Sequence, residues 1–187
     1  MKSRAVMWKA VEYEGLEYLE LNEDAFGIQV ASTIIGADRQ KAFLVDYLVN
    51  CDANYLVSSV LLNLGNESLD LTSDGRGGWL DRDMKRLPEF DGCIDIDITA
   101  TPFTNTLPIR RIDWRVGQSE DFKMLYISVP ELKLSVSRQR YTCLEKSAEG
   151  GLFRFEVIDG DFTALLPVDR DGLVLDYPGL FKRVWAS

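Results

Sequence analysis

The chain has 187 residues, 46% hydrophobic and 27% charged, with 30 acidic against 21 basic side chains and a formal net charge of −9. A chain of this size buries roughly 70% of its unfolded surface, enough for one domain without covalent staples. The charge disfavours nucleic acid and anionic membranes as partners. The absence of histidine excludes Ser-His-Asp and Cys-His catalysis within the chain and removes the commonest metal ligand.

In chain order, residues 5–11 and 16–21 read as short strands joined at Glu14-Gly15. Residues 26–35 are β-branched and stop at Gly36, and 42–49 resume the extended pattern. Residues 55–64 are almost continuously apolar, the pattern of a strand buried on both faces or of a buried helix. A turn at Gly65-Asn66 leads into 68–72. The run Ser73-Asp74-Gly75-Arg76-Gly77-Gly78 is the strongest loop signal of the first half, and 79–87 are expected to hold a helical turn or two before Pro88.

The segment GCIDIDITATPFTNTLPIRR, residues 92–111, is the most patterned stretch. Alternation puts Ile94, Ile96, Ile98 and Ala100 on one side and Cys93, Asp95, Asp97 and Thr99 on the other. Pro102 and Pro108 bracket a loop of Phe103, Thr104, Asn105 and Thr106. Alternation then resumes, with Ile112, Trp114 and Val116 opposite Arg111, Asp113 and Arg115. Two alternating runs joined by a loop predict an antiparallel pair.

Strands are expected over 122–129 and 132–137, separated near Pro130, with 138–144 continuing extended and 148–151 turning. Residues 152–158 alternate Phe153, Phe155 and Val157 against Arg154 and Glu156, and Asp159-Gly160 signals a hairpin. Strands over 162–168 and 173–177 flank Asp171-Gly172, and Pro178-Gly179 leaves a short tail containing Trp185. Short strands, closely spaced turns and no long amphipathic helix predict an all-β fold. A curved antiparallel sheet forming a roll or half-barrel, with few short helices, manages the twist and the edges of so many strands. Strand, turn, strand, Asp-Gly, aromatic occurs at 55–79 and again at 152–177, as two similar halves would produce. Residues 1–187 read as one domain.

Candidate functional residues cluster around the central segment. Asp95 and Asp97, two apart on one strand face, lie roughly 6.5–7 Å from each other. That spacing suits acid–base work or a cation, and equally an ion ladder with Arg111, Asp113 and Arg115 on the neighbouring strand. Arg110 and Arg111 carry forks suited to phosphate, carboxylate or sugar hydroxyls, and Thr104 and Asn105 supply polar groups on the adjoining loop. Trp114 belongs to a large aromatic payload, with Trp8, Trp79 and Trp185, that serves core and cavity wall alike. Arg140 and Tyr141, with Arg138, would line the mouth of a carrier or cover an outer face.

Other motifs are weaker. The loop at 74–78 has glycines for an anion nest but lacks the Lys-Ser/Thr end of a phosphate loop. Asp169, Asp171 and Asp176 fit no calcium loop, and the sequence carries no cofactor or metal signature. Cys51, Cys93 and Cys143, odd in number and widely spaced, make a poor disulfide framework; Cys93 and Cys143 sit in strand-like runs where buried free thiols are common, which fits a reducing compartment. Met1-Lys2-Ser3-Arg4 and the short apolar run before Lys9 make no signal peptide. No apolar run reaches the roughly 20 residues of a membrane helix, and a cytoplasmic location is expected.

The central segment, with Val129-Pro130, QRYTCL at 139–144 and VDRDGLVLDYPGLFKR at 168–183, resembles the “putative glycolipid-binding” family, formerly a domain of unknown function. The resemblance spans nearly the whole chain and is strongest in the C-terminal half. It implies a fold similar to periplasmic lipoprotein and lipid carriers: a curved sheet around an apolar cavity, with a lipid or glycolipid head group held around residues 104–111. Non-catalytic binding of such a ligand is the preferred expectation. A small hydrolase-like enzyme using Asp95 and Asp97 with Arg110 on a polar or phosphorylated substrate, and an interaction module without a ligand, are the alternatives. A narrow polar cleft with those three side chains converging would favour the enzyme; a filled core with a large exposed apolar patch would favour the module.

Overall fold

The computed structural model describes residues 2–37 and 41–187. Strands β1 (Lys2–Ala10), β2 (Glu14–Glu23), β3 (Ile28–Ala37), β4 (Ala42–Cys51), β5 (Val57–Leu64), β6 (Glu67–Ser73) and β7 (Trp79–Asp81) come first. After them come β8 (Asp95–Ile98), the short helix α1 (Thr106–Arg111), β9 (Ser119–Ile127), β10 (Leu134–Ser147), β11 (Gly150–Val157), β12 (Thr163–Asp169), β13 (Asp176–Tyr177) and β14 (Phe181–Ala186). They form a nine-stranded antiparallel sheet in the order β13-β14-β1-β2-β3-β4-β5-β6-β7, and a five-stranded sheet in the order β12-β11-β10-β9-β8 that curls into a half-barrel. The all-β expectation holds.

Period-2 patterning builds the large sheet. Val6, Trp8 and Ala10 on β1, Leu19 and Leu21 on β2, Val30 and Ile34 on β3, and Val45 and Val49 on β4 are buried, and most residues between them are exposed or partly so. These side chains meet Ile96, Ile98, Leu125, Ile127, Tyr141 and Cys143 of the smaller sheet in one continuous core, with Phe103 and Leu107 between. Cys51, Cys93 and Cys143 are buried free thiols.

The central segment departs from the expected antiparallel pair. Only Asp95–Ile98 is strand, and it pairs parallel with β9, Asp95 facing Met124 and Ile98 facing Ile127. Residues 106–111 are helical, and 112–118 contain no strand. The physical reason is Pro108. It reads as a loop boundary, but it stands in the first turn of α1, where the missing N–H breaks no intrahelical bond. Leu107 and Phe103, four apart, are both fully buried, so helical spacing serves the core here better than alternation. The helix and the preceding 3-10 turn (Phe103–Asn105) provide the crossover that a parallel pair requires.

Smaller departures have local causes. Residues 79–87 are not helical: β7 is followed by a turn in which Leu80 bridges Arg86. Glu14-Gly15 already belongs to β2. The tail forms β14, paired with β1 from Val6↔Ala186 to Ala10↔Phe181.

The repeated pattern at 55–79 and 152–177 resolves into a recurrent loop. In each of four loops one Asp oxygen accepts the backbone N–H two and four residues on: Asp52, Asp74, Asp81 and Asp169. The backbone N–H of each also reaches the carbonyl four residues on. The third residue after the Asp has positive φ in all four: Tyr55, Gly77, Met84 and Gly172. The loop counterpart of Asp74 is therefore Asp169, not Asp171.

Candidate functional site

A cleft of about 410 Å³ opens where α1 and the residues after it cross the end of the smaller sheet. Ile109, Arg110, Arg111, Ile112 and Trp114 form one wall. Lys146, the Gly150-Gly151 pair, Phe153, Val168 and Arg170 form the other, with Gly172 between. The volume falls in the range of small-molecule sites, about 300–1,000 Å³.

Backbone geometry shapes this cleft. Gly151 lies where a Cβ would come 2.7 Å from the Glu145 carbonyl oxygen, and Gly172, at φ +75°, where a Cβ would come 2.9 Å from Cγ and Cδ of Arg110. The hydroxyl of Thr106 donates to the Gly172 carbonyl at 2.9 Å and ties the start of α1 to the 169–173 loop. The Arg110 guanidinium sits 5.2 Å from the centre of the Tyr55 ring, a cation–π distance. Trp114 packs edge-on against Phe153 at 5.4 Å. Its indole N–H is buried without a partner among the described residues, a desolvation cost of about 1–3 kcal/mol.

Of the candidate ligand-binding residues, Arg110, Arg111 and Trp114 line this cleft, with Asp113 of the foreseen ladder and Asp169 beside them; Asp95, Asp97, Thr104, Asn105, Arg140 and Tyr141 do not. Asp95, 1% exposed, pairs with Arg111 through Oδ2–Nη2, and Arg111 Nε reaches Oδ1 at 3.3 Å. Desolvation nevertheless raises the Asp95 pKa, outweighing Arg111. The ionic partner foreseen on a neighbouring strand thus comes from α1. Asp97 accepts the Gln139 amide at 2.6 Å and the Thr104 hydroxyl at 3.2 Å, and burial again raises its pKa. Asn105 accepts the Tyr141 hydroxyl at 2.8 Å and donates to the Pro102 carbonyl at 3.0 Å. These groups pin the crossover to β8 and β10 inside the protein. Arg140 lies on the exposed side of β10, where its guanidinium grips Asp121 at 2.5 and 2.8 Å.

Among the described residues no cluster of three or more Cys, Asp or Glu could hold a metal, and no helix is long and apolar enough to cross a membrane. Asp169 and Asp171 instead form an ion cluster. Arg183 and Arg4 lie 2.5 and 3.4 Å from Asp169, while Lys2 and Arg4 pair with Asp171.

A family model described as “Putative glycolipid-binding” matches residues 5–183. The chain belongs to this family. Its fold is similar to the crystal structure of a DUF1089 family protein from Pseudomonas aeruginosa, with a TM-score of 0.80 and 38% identity over 90% of this chain and 92% of that one. No curated protein matches it.

In this member of the glycolipid-binding family, the most unusual polar group escaped the sequence reading. Glu17 is 2% exposed on the inner face of the large sheet. One of its oxygens accepts the Tyr47 hydroxyl at 2.7 Å and the Ser32 hydroxyl at 2.8 Å. The other has no partner among the described residues. Desolvation pushes its pKa up to about 7 against the lowering effect of those hydroxyls. The single Tyr47 proton goes to Glu17, so Thr101, 3.2 Å from the Tyr47 oxygen, donates in its turn. Thr101 also accepts the Phe103 N–H at 3.0 Å, and the chain of bonds ends at the crossover that leads into the cleft. The signal was in the sequence: Glu17 shares the parity of Leu19 and Leu21 on β2.

Proposed function

We propose that this protein binds a glycolipid-like amphiphile without transforming it, its polar head in the cleft beside α1. The observation that carries the reading is the convergence of Arg110, Arg111 and Trp114 with Ile109, Ile112, Phe153 and Val168 around one cleft of about 410 Å³. Guanidinium forks suit sugar hydroxyls and acidic head groups, and indole and phenyl rings suit the apolar side of a sugar ring and the first methylenes of a chain. Each methylene buried on that wall contributes about 0.8 kcal/mol, so modest polar contacts suffice. The family description points to the same ligand class. The hydrolase reading needs free carboxylates, whereas Asp95 and Asp97 are held by Arg111, Gln139 and Thr104 and neither lines the cleft.

The test is native mass spectrometry of freshly purified protein, followed by organic extraction. A co-purifying amphiphile of defined mass, diminished in Phe153→Ala, is expected. A clean unliganded mass together with no uptake from a panel of neutral and acidic lipids and glycolipids overturns the reading.

A further inference from the structure

We infer that the ligand of this cleft carries an anionic group, a carboxylate or a phosphate, held by Arg110 and Arg170; the inference rests on the binding reading above and narrows its ligand class. The argument is a balance of charges. The cleft is lined by four cations, Arg110, Arg111, Lys146 and Arg170, and by two acids, Asp113 and Asp169. Both acids are already engaged: Asp113 by Lys146 at 2.8 Å, and Asp169 by Arg183 at 2.5 Å and Arg4 at 3.4 Å. Arg111 is engaged by Asp95, and Lys146 also donates to the Trp114 carbonyl at 2.9 Å. Arg110 and Arg170 remain. Neither has a carboxylate within 4.0 Å among the described residues, in a chain where acids outnumber bases by 30 to 21.

Arg110 is also held in place. Its stem runs over Gly172, where any side chain would meet it, and its guanidinium lies over the Tyr55 ring. The guanidinium also hydrogen-bonds the Tyr55 hydroxyl, and no carboxylate takes up its remaining N–H donors among the described residues, the arrangement that receives a carboxylate or phosphate. A cation at the C-terminal end of α1 is favourable by itself, but that accounts neither for the left-handed glycine beneath Arg110 nor for the second unpaired guanidinium across the cleft. An arginine already positioned loses less freedom on binding than a solvated one.

The experiment measures binding of two monomeric amphiphiles that differ only at C6, octyl β-glucoside with a neutral hydroxymethyl group and octyl β-glucuronide with a carboxylate. Tryptophan fluorescence and calorimetry report on wild type, Arg110→Gln, Arg170→Gln and the outer-face control Arg138→Gln. Octyl glucuronide is expected to bind at least about tenfold more tightly, and each cleft substitution to remove about tenfold of that preference by weakening the glucuronide more than the glucoside, while the control leaves both affinities unchanged. Arg110 and Arg170 are both exposed, and the Arg170 variant leaves the Arg110 stem over Gly172 in place, so it tests the inference even if Arg110→Gln disturbs that packing. Equal affinity for the two overturns the anion inference and leaves the amphiphile reading standing. Glucuronate binding as tightly as its octyl glycoside supports the anion site and overturns the amphiphile reading. Binding of neither overturns both.

Discussion

At the scale of single residues, Glu17 makes the sharpest prediction. Its carboxyl is raised from an ordinary 4.5 to about 7 because burial disfavours the charge and no cation offsets it. Between those values the folded chain holds a proton that the unfolded chain has released. Raising the pH through this window therefore favours unfolding, by on the order of 3 kcal/mol once complete. Glu17→Gln keeps an acceptor for Tyr47 and Ser32 and abolishes the titration. Urea midpoints measured from pH 4.5 to 8 should show the variant gaining on wild type as pH rises, with the difference levelling off above about 7. Asp95 and Asp97, also raised, act equally in both proteins and cancel in the comparison. A difference that stays constant across the range would show that Glu17 does not titrate there. The residue was legible as an inward position by parity. Its lack of a counter-ion was not, because partners on β3 and β4 depend on register: Tyr47 faces Ser32, which faces Leu19. Asp95 misled in the opposite direction. Its strand face was legible, but its partner Arg111 arrives from a helix that the alternation of 111–116 concealed.

At the scale of elements, the four Asp loops use one backbone shape with different residues at the positive-φ position, and this gives substitutions of opposite sign. Met84 has φ 61° and is 67% exposed. A left-handed conformation costs an L-residue about 1–2 kcal/mol, of which glycine's greater loss of freedom on folding returns about 0.5–1. Met84→Gly should therefore stabilise the protein, by up to about 1 kcal/mol. Gly172 occupies the equivalent place at φ +75° under the Arg110 stem. Gly172→Ala should destabilise by about 1–2 kcal/mol and also weaken ligand binding, since Arg110 must shift. Thermal melts of the two variants check the signs, and a stabilised Gly172→Ala would refute the common loop geometry. Most of the strands and turns were legible because alternation and Asp-Gly punctuation report local chemistry directly. α1 was not, because a proline six residues after another reads equally as a loop end or as the first turn of a helix, and only the parallel pairing of β8 with β9 decides between them.

At the scale of the molecule, the chain builds most of the large sheet, crosses through residues 88–118 to the smaller one, and returns to lay β14 beside β1. The two sheets are joined at both crossings. The Trp79 indole donates to the Cys93 carbonyl at 2.7 Å and the Trp8 indole to the Val174 carbonyl at 2.8 Å. Tyr47 meets Thr101, and Arg4 and Arg183 reach Asp169. With one core common to both sheets, neither can open without exposing the apolar face of the other. We expect one cooperative transition, with far-UV circular dichroism and tryptophan fluorescence coincident in urea. Asp169 is the most informative place to strain the join, since it fastens two arginines of the large sheet and shapes the loop that carries Gly172. Asp169→Ala leaves Arg4 and Arg183, 18% and 14% exposed, without that carboxylate, a loss of about 3 kcal/mol. It should lower the midpoint while the two probes stay coincident. Probes that separate, in wild type or in the variant, would mean that the sheets fold as independent units.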